Sequence, residues 1–418
     1  MPLAIFFVAL IPRVLNLGAF ITADEDDQIM FANLFLKSAL QGDWTGALVL
    51  GYPGVPTLVL GAIGVGLRYW AHYAGWLPLA WANADLMTTL DQVTTRFGSF
   101  EYPLDFLLWV RWPMALTAAL CVVGIFLLTR RLLGRPIALL TALIIAFDPF
   151  ILAHSRVIHV DAPLAYFMFL SFLAFLLYLD KGDWKWLLLS GLFGGLAGLS
   201  KTPAALLGPI LVVSGLFYAL FPAPGQPRAI RWKRLGLALL GWGGIAAAAF
   251  FVMFPSMWAD PLQTIWRLVH NVISVNETAH PTTGIFWGEQ QSDQNPLYYL
   301  IVFPYHLTPL TTIGSVVGVL MILVALVTRW RIITGATGDI YKMLMRNLPL
   351  SMGLVVYVVM FIAPVSAISR RGDRYILPVY FATGLLTALA LWWLASLVRK
   401  YLPGLLHRLR LTPFRLVG

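Results

Sequence analysis

The sequence predicts an all-α integral membrane protein with about ten transmembrane helices and two long extracytoplasmic loops that carry interfacial helices. Its 418 residues are 59% hydrophobic and only 11% charged, and the mean hydropathy is +0.79, which excludes a soluble globular protein. Ten stretches approach the ~17–25 apolar residues that a helix needs to cross a bilayer. They lie near residues 2–20, 106–129, 136–152, 162–179, 186–200, 203–221, 236–254, 308–328, 347–364 and 375–398.

Basic residues predict the orientation, because short loops rich in Lys and Arg stay in the cytoplasm. With both termini in the cytoplasm, 18 of the 29 Lys and Arg residues fall in inner segments, where only three acids oppose them. The other 16 of the 19 carboxylates fall on the outer side. The pI of about 9.8 is then a topology signal that indicates attraction to anionic inner-leaflet lipid, not nucleic-acid binding.

The cysteine content and the N-terminal segment exclude several features that a membrane protein could have. The single cysteine, Cys121, lies in an apolar run, which excludes a disulfide framework and a thiolate metal site. No basic segment precedes the first span, and no small-residue cleavage site precedes the acids at 24–27. The first span is therefore expected to be retained and not cleaved as a signal peptide.

Two predicted outer loops, 21–105 and 255–307, are too long to be passive connections within one domain of residues 1–418. The first opens with a capping-box pattern, Thr22 as N-cap and Glu25 three residues later, and predicts a helix that ends at Gly42. The second is rich in aromatic and polar residues. This mixture is typical of carbohydrate clefts and, equally, of interfacial belts. The candidate acceptor or sugar-cleft residues are His159, His280, Glu289, Tyr298 and Tyr299.

Four consecutive acids, Asp24 to Asp27, stand where the first apolar segment ends. They could simply begin a helix and complement its dipole. Four acids exceed what capping needs, so one carboxylate is a candidate general base toward a hydroxyl. Asp24 is the first choice because it lies nearest the bilayer edge.

Three further segments place charges at the outer ends of predicted spans. Arg156, His159 and Asp161 join two spans, and Asp161 with Pro163 could also just start the second of these. Lys201 fits best as a lone snorkelling side chain. Arg370, Arg371 and Arg374 call for an anion, either Asp373, the acidic cluster or, as the natural partner of planar guanidinium donors, a phosphate.

Together these residues predict one outer-face site with a carboxylate base, several cations and aromatic walls. Nucleotide-activated sugars are made in the cytoplasm, so an outer-face transferase needs a donor that the membrane carries. A lipid-phosphate-linked sugar meets that need. Its phosphate would leave toward Arg and Lys while a carboxylate takes the proton of the acceptor.

The order of these motifs resembles the GT-C glycosyltransferases of the protein O-mannosyltransferase and aminoarabinose transferase type, also grouped as glycosyltransferase family 39. The resemblance covers nearly all of the chain. The motifs that carry it are Arg13-Val-Leu-Asn16, Asp24-Glu25, Gly42-Asp43-Trp44, Ser155-Arg156, Asp161-Ala-Pro163, Gly198-Leu-Ser-Lys201, Asn295-Pro-Leu-Tyr-Tyr299 and Arg374-Tyr375-Ile-Leu-Pro378.

The resemblance implies a polyprenyl-phosphate-sugar donor, inversion at the anomeric carbon and a base from the first loop. That base would be Asp24, with Glu25 beside it as the second candidate catalytic acid. The residues it implies for the donor and its lipid phosphate are Arg156, Asp161, Lys201, Arg371, Arg374 and Tyr375. The sequence shows no pattern that resembles the soluble lectin-like domain of the eukaryotic protein mannosyltransferases, so a protein acceptor is not specifically expected and the acceptor hydroxyl is left open among glycan, lipid and protein.

We therefore predict a multi-pass transferase of a prokaryotic plasma membrane that moves mannose or another hexose or pentose and needs no cofactor. The main alternative is a transporter or flippase for an anionic lipid-linked substrate, although such proteins place coupling residues near the bilayer midplane. A noncatalytic sugar-binding scaffold is a second alternative. A divalent metal is a third, since His159 and Asp161 are close in sequence, but their spacing is not diagnostic of a metal site.

Overall fold

The computed structural model describes residues 1–49, 52–93, 96, 101–221, 228–277, 284–286, 289–291, 297–332, 339–367 and 372–408. The helices within these ranges are α1 (Pro2–Val14), α2 (Glu25–Gln41), α3 (Val55–Tyr73), α4 (Leu86–Asp91), α5 (Glu101–Leu133), α6 (Arg135–Phe147), α7 (Pro149–His154), α8 (Asp161–Lys181), α9 (Trp184–Ser200), α10 (Leu207–Leu220), α11 (Arg228–Met253), α12 (Ser256–Ala259), α13 (Pro261–Glu277), α14 (Tyr298–His306), α15 (Pro309–Ile332), α16 (Asp339–Ser366) and α17 (Leu377–Arg408). Short 3₁₀ helices, Thr202–Leu206 and Asp373–Ile376, lead into α10 and α17.

The helical membrane class predicted from the sequence is confirmed. Seven helical segments of the described chain are long and apolar enough to cross a membrane; they lie in α5, α8, α10, α11, α15, α16 and α17. The other three predicted spans correspond to α1, α6 and α9, which have 13, 13 and 17 residues. The β-structure in the described residues is a small antiparallel hairpin of β1 (Gly284–Phe286) and β2 (Glu289–Gln291), in which Ile285 pairs with Gln290.

Helix α8 is the centre of the bundle. It carries no charge between Asp161 and Asp180, and every residue from Asp161 to Leu179 is buried. A helix that is apolar on all sides avoids water, either inside the protein or in lipid. Here α5, α9, α10, α11 and α17 pack around it. Its 21 residues give a length of about 30 Å, the thickness of a bilayer core. We call the end at Asp161 the outer end of the bundle and the end at Lys181 the inner end.

The first long loop folds as helices that pack on the outer half of α5. Helix α3 lies against both α2 and α5, and it buries Val65 and Tyr69 with Phe106 of α5. Gly64 permits this close approach, because a Cβ atom at that position would stand 2.4 Å from the carbonyl oxygen of Trp109. The loop thus forms a fixed platform beside the spans.

The start of α2 differs from the predicted capping box. Asp24, not Thr22, is the N-cap residue, and its backbone is left-handed with φ of 70°. Half of the reciprocal pattern does form, since the backbone N–H of Thr22 donates to the Glu25 carboxylate at 2.9 Å. The prediction of Thr22 as N-cap is therefore wrong, whereas the predicted end of the helix at Gly42, also left-handed, is confirmed.

The second long loop contains the amphipathic helix α13 and the short helix α14, which precedes the last three membrane-spanning helices. Helix α13 exposes Leu262, Ile265 and Trp266, the arrangement expected of a helix that lies in the membrane interface. Helix α14 follows and packs against α16 and the 3₁₀ helix Asp373–Ile376. The bounds 21–105 and 255–307 as extracytoplasmic loops remain a prediction.

Candidate active site

Four segments far apart in sequence meet at the outer end of the bundle. They are the start of α2, the turn before α8, the end of α9 and the 3₁₀ helix before α17, and they bring together five charged or titratable side chains. We call these the charge cluster: Asp24, His159, Asp161, Lys201 and Arg374. The ion pairs within it join α2 to a residue 350 positions further along the chain.

Asp161 is the buried centre of the cluster. Its Oδ1 lies 2.7 Å from Nζ of Lys201, and its Oδ2 lies 3.5 Å from Nε of Arg374. Only 3% of the Asp161 side chain is exposed. A buried carboxylate is stable only when cations and donors compensate its charge, so Asp161 and the two cations fix each other in place. The prediction of Lys201 as a lone snorkelling lysine is therefore wrong.

Asp24 lies at the rim of the cluster. Its side chain is 44% exposed and forms an ion pair with Nη2 of Arg374. The two acids thus have different environments: Asp161 is enclosed beside two cations, whereas Asp24 can be reached from outside the bundle. Of the acids in this cluster, Asp24 is the one that a substrate can approach.

His159 connects the two acids. Its Nδ1 lies 2.9 Å from Oδ2 of Asp161, and its Nε2 lies 3.9 Å from Oδ2 of Asp24. The sequence prediction placed His159 in an acceptor or sugar cleft. The structure places it inside the charge cluster, where contact with Asp161 orients the imidazole toward Asp24.

Tyr375 and Tyr299 hold the segment that carries Arg374. Nζ of Lys201 lies 4.2 Å from the centre of the Tyr375 ring, a cation–π contact. The Tyr299 hydroxyl donates to the carbonyl of Gly372 at 3.1 Å and accepts from its N–H at 3.2 Å. Tyr299 is fully buried and anchors the turn before Arg374, and its predicted role in an acceptor or sugar cleft remains a prediction.

The remaining predicted cleft and phosphate residues are only partly described. Tyr298 packs edge-on against Tyr299, with ring centres 5.0 Å apart. Glu289 is placed in β2 by its backbone alone, whereas His280 and Arg371 lie outside the described residues. The roles predicted for these four residues remain predictions.

Glu25 directly follows Asp24 in sequence, but its side chain lies in a different environment. Its carboxylate is fully buried and pairs with Arg111 of α5, whose Nε lies 2.9 Å from Oε1. The same oxygen accepts the N–H of Ile158 at 3.1 Å. Arg111 also donates to the carbonyls of Leu17 and Phe20. This arrangement ties α2, α5 and the turn before α8 together, which favours a structural role for Glu25 over the predicted catalytic one.

Replacing Glu25 tests that assignment. In Glu25→Gln the Arg111 guanidinium loses its counter-charge inside the protein, and breaking a buried pair costs about 3–5 kcal/mol. We expect the melting temperature to fall well below that of Asp26→Asn, a half-buried neighbour that serves as the control. A variant that melts like wild type but loses all transfer activity would contradict the structural role.

Arg156, which the sequence analysis assigned to the lipid phosphate, makes a contact that was not predicted. Its guanidinium donates to the carbonyl of Leu15, just after α1. Burial, and then the nearby charge of Arg111, lower the pKa of Arg156. Among the described residues no ion pair joins Arg156 to the charge cluster, and its predicted contact with a lipid phosphate remains a prediction.

Two residues near the site were missed in the sequence. Tyr52 lies in a Gly- and Pro-rich segment that is typical of a connector, yet its hydroxyl accepts a hydrogen bond from Gln28 of α2 at 3.2 Å. Burial raises the pKa of Tyr52; the hydrogen bond from Gln28 opposes this shift, and the charges of Asp161 and Asp24 add to it. Arg111 is the other; an arginine within an apolar span could have identified it, because such charges require a partner.

Comparisons with known proteins agree with this architecture. A sequence model of the family described as dolichyl-phosphate-mannose-protein mannosyltransferase matches residues 106–258. Among curated proteins, none matches the sequence. The chain is similar in fold to ArnT from Cupriavidus metallidurans bound to undecaprenyl phosphate, with a TM-score of 0.58 and 17% identity over 97% of this chain and 64% of that one.

A second solved structure has the same fold. The archaeal oligosaccharyltransferase AglB from Archaeoglobus fulgidus, in complex with an inhibitory peptide and a dolichol-phosphate, matches with a TM-score of 0.50 and 16% identity over 100% of this chain and 52% of that one. The chain thus spans less than two thirds of the length of either structure. These matches show that the chain shares the fold of both structures, and the family model agrees with the resemblance of the sequence motifs over residues 106–258.

Proposed function

We propose that this protein is an inverting glycosyltransferase that moves a sugar from a polyprenyl-phosphate donor to a hydroxyl acceptor on the extracytoplasmic side. One observation carries the proposal. At the outer end of the bundle, a buried acid fixes two cations beside a second, accessible acid, and the cations suit a phosphate while the accessible acid suits a hydroxyl proton. The names of the two structural matches support the donor class, since both structures hold a polyprenyl phosphate.

Lys201 and Arg374 are the proposed phosphate-binding residues. Both are held from below by Asp161, and 18% of the Lys201 side chain and 27% of the Arg374 side chain remain exposed. When the sugar–phosphate bond breaks, the electron pair stays on the phosphate oxygen. Two cations already in position stabilise that charge without reorganisation during the step.

Asp24 is the proposed base. It takes the proton of the acceptor hydroxyl as the acceptor oxygen forms its bond to the anomeric carbon from the face opposite the phosphate. In the structure Asp24 forms an ion pair with Arg374, and this pair must loosen before the carboxylate can accept a proton. A donor phosphate that draws the guanidinium toward itself would weaken this pair, so donor binding would activate the base.

A groove next to Lys201 supports a prenyl donor. It has a volume of about 530 Å³ and lies between α9, α11 and α13. Its walls are small or apolar, including Gly194, Gly198 and Phe250, and it reaches Thr202, which directly follows Lys201. A chain in this groove would run from the phosphate site into the membrane region of the bundle, as a lipid-linked donor requires.

Neutralising Arg374 should weaken donor binding. A charge-assisted hydrogen bond is worth about 1.5–3 kcal/mol, so we expect Arg374→Gln to lower the affinity for polyprenyl phosphate by about 10- to 100-fold, measured by native mass spectrometry of the purified protein. Arg399→Gln, near the inner end of α17, is the control and should bind as wild type does. Equal affinity in Arg374→Gln and wild type would refute the assignment of the phosphate site.

The transfer activity itself is tested with a panel of labelled polyprenyl-phosphate hexoses and pentoses and with glycan, lipid and peptide hydroxyl acceptors. We expect one sugar to be transferred with release of polyprenyl phosphate and inversion at the anomeric carbon. Movement of the intact lipid-linked sugar across a vesicle membrane, with no bond transferred, would instead indicate a transporter.

A further inference from the structure

A second polar cavity lies at the inner end of the bundle, far from the charge cluster. It has a volume of about 390 Å³ and is enclosed by the inner ends of α5, α8, α10 and α11 and by the first half of α16. Helix α8 contributes Asp161 to the charge cluster and Lys181 to this cavity, and its length separates the two by about 30 Å. The cavity is therefore not part of the proposed active site.

Basic side chains dominate the walls of this cavity. The ones that line it are Arg130, Arg131, Lys181, Arg231 and Arg234. Among the described residues of its lining the one acid is Asp180, which already pairs with Lys181 at 3.0 Å. Five cations around one enclosed volume repel one another unless an anion compensates them, so the cavity has the electrostatics of an anion site.

Some of these cations have local roles, but those roles do not account for the cavity. Nη1 of Arg234 donates to the carbonyls of Leu179 and Asp180 at 3.0 and 3.4 Å, and Nε of Arg231 donates to the carbonyl of Ala219 at 3.1 Å. These bonds satisfy the last carbonyls of α8 and α10. Both bonds from Arg234 come from Nη1, and a guanidinium has five N–H donors. Capping thus orients both arginines at the cavity wall.

We propose that this cavity binds a phosphate-bearing anion, and that its position favours the headgroup of an anionic phospholipid from the inner leaflet. Basic pockets between transmembrane helices on the cytoplasmic side are suited to such headgroups. Tyr218 and Asn347 add polar side chains to the lining, and Leu132, Leu235 and Leu350 add apolar wall on which acyl chains can lie. Planar guanidinium groups match phosphate oxygens with two parallel hydrogen bonds.

Such a lipid would also brace the bundle. Arg131 belongs to α5, Lys181 to α8 and Arg234 to α11, so one phosphate contacted by all three would join three helices at the end opposite the active site. The arrangement predicts that anionic phospholipid raises the melting temperature of the protein, because a ligand that binds only the folded state stabilises it.

Native mass spectrometry of the detergent-purified full chain tests the proposal without any sugar donor. Phosphatidylglycerol, phosphatidylcholine and inorganic phosphate are added separately. We expect phosphatidylglycerol to bind wild type at least about tenfold more tightly than phosphatidylcholine, and Arg131→Gln/Arg234→Gln to lose about tenfold or more of that affinity. The control is Lys233→Gln/Arg399→Gln, which removes the same charge from the inner end but outside the cavity lining, and should bind within about twofold of wild type.

Adding the three ligands separately distinguishes a phospholipid headgroup from free phosphate as the bound anion. Binding of inorganic phosphate to wild type but not to the cavity variant, with no preference for phosphatidylglycerol, would support the site and overturn the lipid as its ligand. Equal losses in the cavity and control variants would mean that diffuse charge attraction is responsible, and would overturn the site. Should loss of the Arg234 caps impair folding, Lys181→Gln removes an exposed cation of the lining and gives the same comparison.

Discussion

Asp24→Asn is expected to lower kcat for sugar transfer by about two to four orders of magnitude, the usual contribution of a positioned general base. The amide cannot accept the proton of the acceptor hydroxyl. Folding should be preserved, because asparagine tolerates the left-handed backbone that this position requires, with φ of 70°. Donor affinity should stay the same or rise, since Arg374 no longer shares its charge with a carboxylate.

The neighbouring acid provides the control for this prediction. Asp26→Asn removes the same charge two residues away, where no described contact links the side chain to the charge cluster, and should leave kcat within about twofold. The measurement is the initial rate of transfer at saturating donor, with donor binding determined separately. Comparable losses in both variants would mean that the negative field of the acidic segment matters and that Asp24 is not the base.

Asp161→Asn is expected to damage both stability and donor binding. The amide cannot compensate Lys201 and Arg374, which Asp161 contacts at 2.7 and 3.5 Å. Breaking such a buried ion pair costs about 3–5 kcal/mol, enough to lower the melting temperature by several degrees. The two cations would also lose their positions, so affinity for polyprenyl phosphate should fall by at least about tenfold.

Two further variants separate these effects. Asp180→Asn, at the other end of the same helix, removes an acid whose side chain is 36% exposed, and should cost less than about 1 kcal/mol. Asp161→Asn/Lys201→Met removes both charges of the pair and should recover much of the stability without recovering transfer. Full transfer by the double variant would contradict a role for either residue in holding the donor phosphate.

The helical fold could be predicted from the sequence because of the length of its apolar stretches. Each of the ten apolar stretches contains a helix, because a bilayer-spanning segment must satisfy its backbone internally and helices do so from local sequence alone. The end of α2 was predictable for the same reason, since Gly42 adopts the left-handed conformation that closes a helix. Asp24, Asp161 and Arg374 were likewise candidates from the sequence, because each combines a charge with the edge of a span.

The partners of these residues were not predictable. Glu25 and Asp24 are adjacent in sequence, but the first turn of α2 sends one carboxylate inward to Arg111, 86 residues away, and leaves the other at the surface beside Arg374. Lys201 fits a lone lysine until α8 and α9 pack and bring Asp161 within 2.7 Å. Such pairings depend on tertiary packing and leave no periodic signal in one sequence.

Single-turnover transfer by the purified protein, with a labelled polyprenyl-phosphate sugar and a hydroxyl acceptor, tests the central claim most directly. We expect wild type to transfer the sugar and release polyprenyl phosphate, Arg374→Gln to bind the donor weakly, and Asp24→Asn to bind it well without transferring it. Transfer at the wild-type rate by both variants would contradict the claim that a cation-held phosphate beside an accessible acid is the catalytic arrangement of this protein.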